Sequence, residues 1–461
     1  MGSFADRRWI MLLAMLAIFA CGVRCYYVAT SVVVNPIRGD ATQYYAYAWN
    51  LIHHGVFSKT LPDSAQVVSD SFRDPGFLFF LAGWMKLVGE EGGVWYRLLL
   101  LSQAFLGGIG AVLAAMLARR LLAPALALTV GWLVAIWPHC ITINGDVLSE
   151  TLFGFLTLFA ILLTVSALER DSRIRMVLAG LCFSFAALTN SIILPFAPLL
   201  ALWLLWTRGI RKGQVVALLI AAILLPGAWT VRNIQLHDGD SSRGRALINF
   251  DQGSWPEYHS VWRKALGEGD EESRRVLDEI SSEGVTLVSS PLQGLSLVGR
   301  RIAQHPLKYL SWYLLEKPVL LWGWDIKVGQ GGIYVYPVAN SPFEEQTIWR
   351  VVASICQALN PWLLLAAAGA LVRWLVSLWR KVEWRDSSPE LDVVALLVVY
   401  VTLIYSLLQS EPRYSIPFRP FEFVMAVSAL DWAIGKLQEL RVQSRGGSAD
   451  GLRFNGSGAV S

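Results

Sequence analysis

The side chains best suited to chemistry fall in six short stretches. Asp40 opens "DATQYYAYAWNLIHH" (40–54), Arg73 sits in "SFRDPG" (71–76), and Asp146 and Glu150 share "NGDVLSETLF" (144–153). Arg232-Asn233 follow an apolar run, Glu316-Lys317 interrupt another, and Arg413 lies in "EPRYSIP" (411–417). A carboxylate beside a hydroxyl can take its proton, and a guanidinium or ammonium can neutralise a departing phosphate. Such a set suits a substrate with an anionic, lipid-linked group and a hydroxyl to be deprotonated. Each residue also has a plain local reading. Asp40 and Gln43 have capping-box spacing, and Asp146 reads as a cap at the start of a span, where the helix dipole favours an acid. Arg232 and Arg413 could snorkel to lipid headgroups, and Lys317 could pair with Glu316 or a phospholipid. Glu150, about one turn deeper than Asp146, resists a local reading, because an ionisable group inside a span is a functional candidate by default.

The elements that must position these groups follow from composition. The 461 residues are 54% hydrophobic and 16% charged, with a mean hydropathy of +0.47. Soluble domains carry about 25% charged residues, so this is a polytopic membrane protein, all-α. Runs of about 20 mainly apolar residues place spans near 9–29, 95–118, 121–138, 147–168, 175–190, 193–207, 214–231, 348–376, 390–409 and 415–435, roughly ten in all. Arg7-Arg8, Arg119-Arg120, "ERDSRIR" (169–175), "RGIRK" (208–212), "RKVEWR" (380–385) and the tail after Lys436 fall on alternate sides. The positive-inside rule then makes both termini cytoplasmic and turns the long segments 30–93 and 232–345 outward. Residues 40–54, "DPGFLFFLAGWMKLVG" (74–89) and "HPLKYLSWYLLEKPVLLWGW" (305–324) are too short or too interrupted to span and too apolar to float free. They read as interfacial helices, the second capped by Asp74 with Pro75 at its first position. "GEGDEESRRVLDEI" (267–280) reads as a solvated helix.

Residues 1–435 thus form one membrane-embedded domain, including both outer segments, and 436–461 a disordered cytoplasmic tail. The basic start, apolar stretch and Cys21 near the N-terminus are expected to form an uncleaved first span, since Phe19 is too bulky for a cleavage site. Five cysteines in or beside apolar runs read as small core residues. The net charge of +4, with its cations spread beside apolar runs, gives no basic face for nucleic acid. The six histidines show no metal-ligand spacing, and no P-loop, dinucleotide fingerprint or nucleophile motif is present.

In this setting the sequence resembles the membrane glycosyltransferases of the C-type fold, and within them the bacterial branch related to protein O-mannosyltransferases (glycosyltransferase family 39) and the lipid A aminoarabinose transferase. "GDATQYYAYAWNLIHHGVFS" is similar to the family's first outer loop, and "FRDPGFLFFLAGWMKLVG" to the Arg-x-Pro-Gly segment and interfacial helix that follow. "GDVLSETLFGFLTLFA" resembles its Ser-Glu span, "ALTNSIILPFAPLLAL" its next hairpin, "PGAWTVRNIQLHDG" its Arg-Asn exit and "EPRYSIPFRPF" its late Arg-Tyr-x-x-Pro turn. The resemblance implies a transferase using a sugar donor linked to polyprenyl phosphate. It implies Asp40 as general base on the acceptor hydroxyl, Asp146 or Glu150 orienting the acceptor or holding a divalent cation, and Arg73, Arg232, Lys317 and Arg413 holding the carrier phosphate. Ala41 stands where the family has a partner acid, which weakens a metal site. Those relatives also carry large soluble outer domains near the C-terminus, whereas this sequence ends soon after its last expected span, so their acceptors are not carried over.

The expected protein is therefore an enzyme of the inner membrane that moves a sugar to a glycan, lipid or protein acceptor on the periplasmic side. A lipid-linked sugar flippase would need paired polar groups near mid-membrane and a repeated, broken-helix architecture. An O-antigen polymerase or ligase is the other rival, and the Asp40 motif speaks against it.

Overall fold

The computed structural model describes residues 4–62, 64–236, 241–379 and 388–450. The first span is α1 (Phe4–Thr30), followed by the short strand β1 (Val32–Val33) and the interfacial helices α2 (Asp40–His53) and α3 (Pro75–Val88). Next come α4 (Val94–Ala118), α5 (Pro124–Ile136), α6 (Pro138–Thr142), α7 (Glu150–Glu169), α8 (Arg173–Thr189), α9 (Phe196–Arg208) and α10 (Lys212–Ile234). A second long segment outside the spans holds α11 (Ser242–Gly253), α12 (Tyr258–Arg263), α13 (Glu271–Ser289), α14 (Pro291–Gln304), α15 (Pro306–Ser311), α16 (Lys317–Leu321), strand β2 (Val338–Ala339) and α17 (Pro342–Glu345). The chain then returns through α18 (Thr347–Trp379), α19 (Pro389–Leu407), α20 (Pro412–Ser415) and α21 (Arg419–Asp450).

The ten expected spans map onto α1, α4, the α5–α6 pair, α7, α8, α9, α10, α18, α19 and α21. Among the described residues seven helices are long and apolar enough to cross a membrane, or eight if α5 and its continuation count as one bent span. The remaining two fall short on local grounds. Helix α8 has 17 residues, and α21 carries Arg419, Glu422 and Asp431 in its first half. The segment 121–138 is broken by a 60° bend, because Pro138 lacks an amide donor and pushes Trp137 into extended backbone. The core joins α4, α5, α7, α8, α9, α19 and α21, with Trp137, Phe153, Phe183, Phe196 and Phe421 fully buried.

The three stretches expected as interfacial helices are all helical. The third is not a regular helix: α15 passes through a π-helical turn (Trp312–Glu316) before α16, so Glu316-Lys317 fall where the hydrogen-bond ladder changes. The solvated helix appears as α13, capped by Asp270, whose side chain accepts from the Ser273 amide. The tail expected from Lys436 onward is helical as far as Asp450. Residues 451–461 and the basic cluster 380–385 lie outside the described residues.

Two long-range connections bring the segments 30–93 and 232–345 together over one end of the spans. Strands β1 and β2 pair antiparallel, Val32 with Ala339 and Val33 with Val338, drawing the loop before β2 over the start of α2. Gly39 there has φ +55°, and a Cβ on it would lie 3.2 Å from the Tyr336 hydroxyl. Glycine is needed at that point for both the backbone and the close approach. Helix α3 docks against α8, and α11 against α19.

Candidate active site

These connections frame a cavity of ≈ 960 Å³ between the start of α2, the loop before α3, the turns at 190–195 and 409–417, and helices α11 and α12. Asp40, Arg73, Glu150 and Arg413 line it. Asp40 forms its centre. Its Oδ1 accepts from Arg73 Nη2 at 2.7 Å and its Oδ2 from Arg413 Nη2 at 2.9 Å. Arg73 Nε donates to Gln43 Oε1 at 2.5 Å, and the guanidinium lies over the Tyr44 ring at 5.2 Å. Arg413 also reaches Glu150, with Nε 3.2 Å from Oε1, so one arginine bridges two carboxylates. Burial alone would raise the Asp40 pKa, but Arg73 and Arg413 outweigh it and hold the carboxyl well below the usual carboxylate range.

This geometry corrects several local readings. Asp40 does not cap α2. Gly39 is the capping residue, no side chain closes that end, and both Asp40 and Gln43 are turned to Arg73. Asp74 precedes α3 but does not cap it either. Its Oδ2 accepts from the Ser191 amide and hydroxyl, each at 3.1 Å, and from Arg245 Nη2 at 2.7 Å. Glu150 is the first residue of α7, at the edge of the span rather than one turn in.

The remaining expected site residues lie outside the cavity lining. Asp146 is buried in extended backbone ahead of α7, and Ser149 stands at the capping position. Burial and the neighbouring Glu150 push its carboxyl well above the usual range, with Arg413 only partly offsetting them. Arg232 donates to the Asp70 carbonyl at 2.6 Å and the Ser69 hydroxyl at 2.5 Å, and packs over Trp229 at 4.8 Å. Lys317 is fully buried, donating to the carbonyls of Gly253 and Leu408, and burial lowers its pKa to about 7. Glu316 instead accepts from the Ser311 hydroxyl at 2.8 Å. Arg232 thus ties the end of α10 to the segment 30–93, and Lys317 ties α16 to the ends of α11 and α19.

Four cavity-lining charges were not singled out from sequence: Arg38, Arg245, Arg263 and Glu411. Arg38 lies two residues before Asp40 and Glu411 two before Arg413, so proximity to both motifs was the available signal. Arg245 and Arg263 belong to the polar stretch 236–300 and carried none. Arg38 lies over the Tyr336 ring at 5.6 Å, and Arg263 Nη2 donates to the Lys327 carbonyl at 2.6 Å. Among the described residues no three His, Cys, Asp or Glu side chains gather as metal ligands. The charges of Asp40 and Glu150 are met by arginine, so their present arrangement does not fit a divalent cation.

Glu411 is 3% exposed and accepts from the Val328 amide at 3.2 Å. Burial pushes its carboxyl up from 4.5 to about 7, with Arg413 acting in the opposite sense. The folded state therefore keeps a proton that the unfolded chain releases near 4.5. Stability from this group is fully present below that value and declines as pH rises through about 7. Thermal melts of the purified protein from about pH 5 to about pH 8 should show Tm falling, and falling less in Glu411→Gln. Equal slopes in both proteins would remove Glu411 as a titrating group.

The fold is the C-type fold of membrane glycosyltransferases, as the sequence resemblance implies. No family model matches the sequence, and no curated protein matches it. Among solved structures, the archaeal oligosaccharyltransferase AglB from Archaeoglobus fulgidus, in complex with an inhibitory peptide and a dolichol-phosphate, superposes with a TM-score of 0.50 at 13% identity. That match covers 100% of this chain and 53% of AglB, so the chain spans about half the length of that protein. ArnT from Cupriavidus metallidurans bound to undecaprenyl phosphate is similar at 14% identity and TM-score 0.35, over 91% of this chain and 77% of ArnT. The S. cerevisiae protein O-mannosyltransferase Pmt1-Pmt2 complex bound to the sugar donor is similar at 18% identity and TM-score 0.40, over 52% of this chain and 34% of that one.

Proposed function

We propose that the protein is a membrane glycosyltransferase that moves one sugar from a polyprenyl-phosphate carrier to an acceptor hydroxyl on the outer, periplasmic face of the inner membrane. The observation that carries this reading is the clamp itself. One carboxylate is held between two arginines at the centre of a cavity large enough for a sugar, beside the ends of the spans. A carboxylate held so far below its usual pKa is a weak base. It gains strength when a competing anion takes its arginines. A sugar phosphate entering among Arg38, Arg73, Arg263 and Arg413 is such an anion, so donor binding would unmask the base. The acceptor oxygen then forms a bond to the anomeric carbon as the carbon–oxygen bond to phosphate breaks. The acceptor proton passes to Asp40, and the electron pair leaves on the phosphate oxygen that the arginines neutralise. A single displacement of this kind inverts the anomeric centre. The dolichol-phosphate held by AglB supports a lipid-linked donor. A flippase is disfavoured because Asp40, Arg73, Glu150 and Arg413 share one cavity at one end of the spans.

The direct test incubates purified protein in nanodiscs with polyprenyl-phosphate sugars and candidate glycan, lipid and peptide acceptors. Release of polyprenyl phosphate together with a glycosylated acceptor supports the reading. The same protein in sealed proteoliposomes carrying donor across the bilayer without bond cleavage would make it a transporter.

The orientation has its own test. Single cysteines at Ser64 and Glu272, both exposed, in a version lacking the five native cysteines should react with an impermeant thiol reagent in intact spheroplasts. Labelling only after lysis would place both outer segments, and the site, on the cytoplasmic side.

A further inference from the structure

Glu150 also lines a second, smaller cavity of ≈ 50 Å³ between α1, α4, α7 and the turn leading into α21. Glu150 and Pro417 are the residues that the two cavities share. Its wall is mostly apolar, yet three buried polar atoms there make no hydrogen bond within the protein: Arg24 Nε, Asn144 Oδ1 and Glu150 Oε2. Arg24 is fully buried and Asn144 is 1% exposed. Their other atoms are already engaged. Arg24 donates to the carbonyls of Ala20, Val134 and Ala135, and Asn144 Nδ2 donates to the Thr151 hydroxyl at 2.8 Å. Both side chains are therefore fixed, with one polar atom of each left over. A Cβ on Gly107 would lie 2.7 Å from Asn144 Oδ1 and 2.9 Å from Arg24 Nε, so both atoms pack against this glycine and a larger residue there would force them to shift.

Leaving a buried donor or acceptor without a partner costs about 1–3 kcal/mol. A cavity needs only about 10–15 Å³ to hold one water, so there is room for ordered water here. The pattern is one donor and two acceptors. Water matches it, since it can accept from Arg24 and donate to Asn144 and Glu150. A small anion would face two acceptors, a cation would face the buried guanidinium, and a lipid chain would leave all three atoms unsatisfied. We propose that this cavity is a water site linking Arg24 and Asn144 to Glu150, and that Arg24 and Asn144 are positioning residues. They hold Glu150 so that its Oε1 stays beside Arg413. The water site itself does not depend on the proposed reaction. Its consequence for turnover does.

The deciding experiment is a cryo-EM map of the wild-type protein in nanodiscs, at a resolution that shows ordered water, compared with Gly107→Ala. Density is expected within about 2.7–3.2 Å of Arg24 Nε, Asn144 Oδ1 and Glu150 Oε2, as one water or a short chain. It should be missing from Gly107→Ala, with the Glu150 side chain turned from its wild-type position. An empty cavity, or elongated density from a lipid chain, in the wild-type map would overturn the proposal, whether or not the variant folds. Steady-state kinetics supply the second arm. Gly107→Ala should lower kcat about tenfold while the donor KM stays within about twofold. A raised KM with unchanged kcat would remove the positioning role. If wild-type protein transfers no sugar, the proposed function fails, and the density still decides the water site.

Discussion

Asp40→Asn is expected to insert, purify and bind the carrier lipid, yet to turn over about 10²–10⁴-fold more slowly than wild type. The amide still accepts a hydrogen bond from Arg73 or Arg413, so much of the local geometry survives. What disappears is the charge that pairs with two guanidiniums and the lone pair that would take the acceptor's proton. Because Asp40 does not cap α2, the stability cost comes from the lost ion pairs, of the order of 1–3 kcal/mol, and not from a frayed helix. Asp40→Ala should be equally inactive and less stable again, since both arginines then lack any partner at that position. The assay must use purified protein and defined donor, with lipid binding measured separately. Near-wild-type turnover by Asp40→Asn would reduce Asp40 to an ion-pair anchor and move the search for the base to Glu150 or Glu411.

Arg413→Gln should have the other large effect, because it removes the group that joins Asp40 to Glu150. Breaking a buried ion pair from one side strands the remaining charges and typically costs about 3–5 kcal/mol. Arg413 is 15% exposed and Glu150 11%, so little water is on hand to compensate. A marked drop in Tm and a loss of donor turnover are both expected. The double variant Arg413→Gln/Glu150→Gln separates the two effects. Removing the stranded Glu150 charge should recover most of the stability and none of the turnover, since the cation facing the donor phosphate is still missing. If Arg413→Gln melts as the wild type does and keeps its donor kinetics, the bridge is incidental.

The architecture was largely legible in the order of the residues. Apolar runs of span length, basic clusters between them and short aromatic helices are local properties, and composition reports them directly. Helices formed at 40–53 and 75–88, as the short apolar stretches implied, although neither Asp40 nor Asp74 caps them, and the helix expected at 267–280 formed at 271–289. Asp40, Arg73, Glu150 and Arg413 could be named as candidates because ionisable groups beside apolar runs are costly and conspicuous.

Their partners could not be named, for a physical reason. Spacing along one helix favours partners within the same turn, so Gln43 became a capping partner for Asp40 and Glu316 an ion-pair partner for Lys317. A desolvated charge is instead stabilised by whichever opposite charge the fold brings nearest. Asp40 meets Arg73 and Arg413, while Lys317 meets the carbonyls of Gly253 and Leu408. The same limit hid Arg38, Arg245, Arg263 and Glu411, which became cavity residues only when helices α11 and α12 packed over the ends of the spans. Local chemistry thus determined which groups stand at the ends of the spans. Tertiary packing decided which of them share a cavity, because electrostatic partnership depends on distance in space and on the exclusion of water, and neither is written in the separation of residues along the chain.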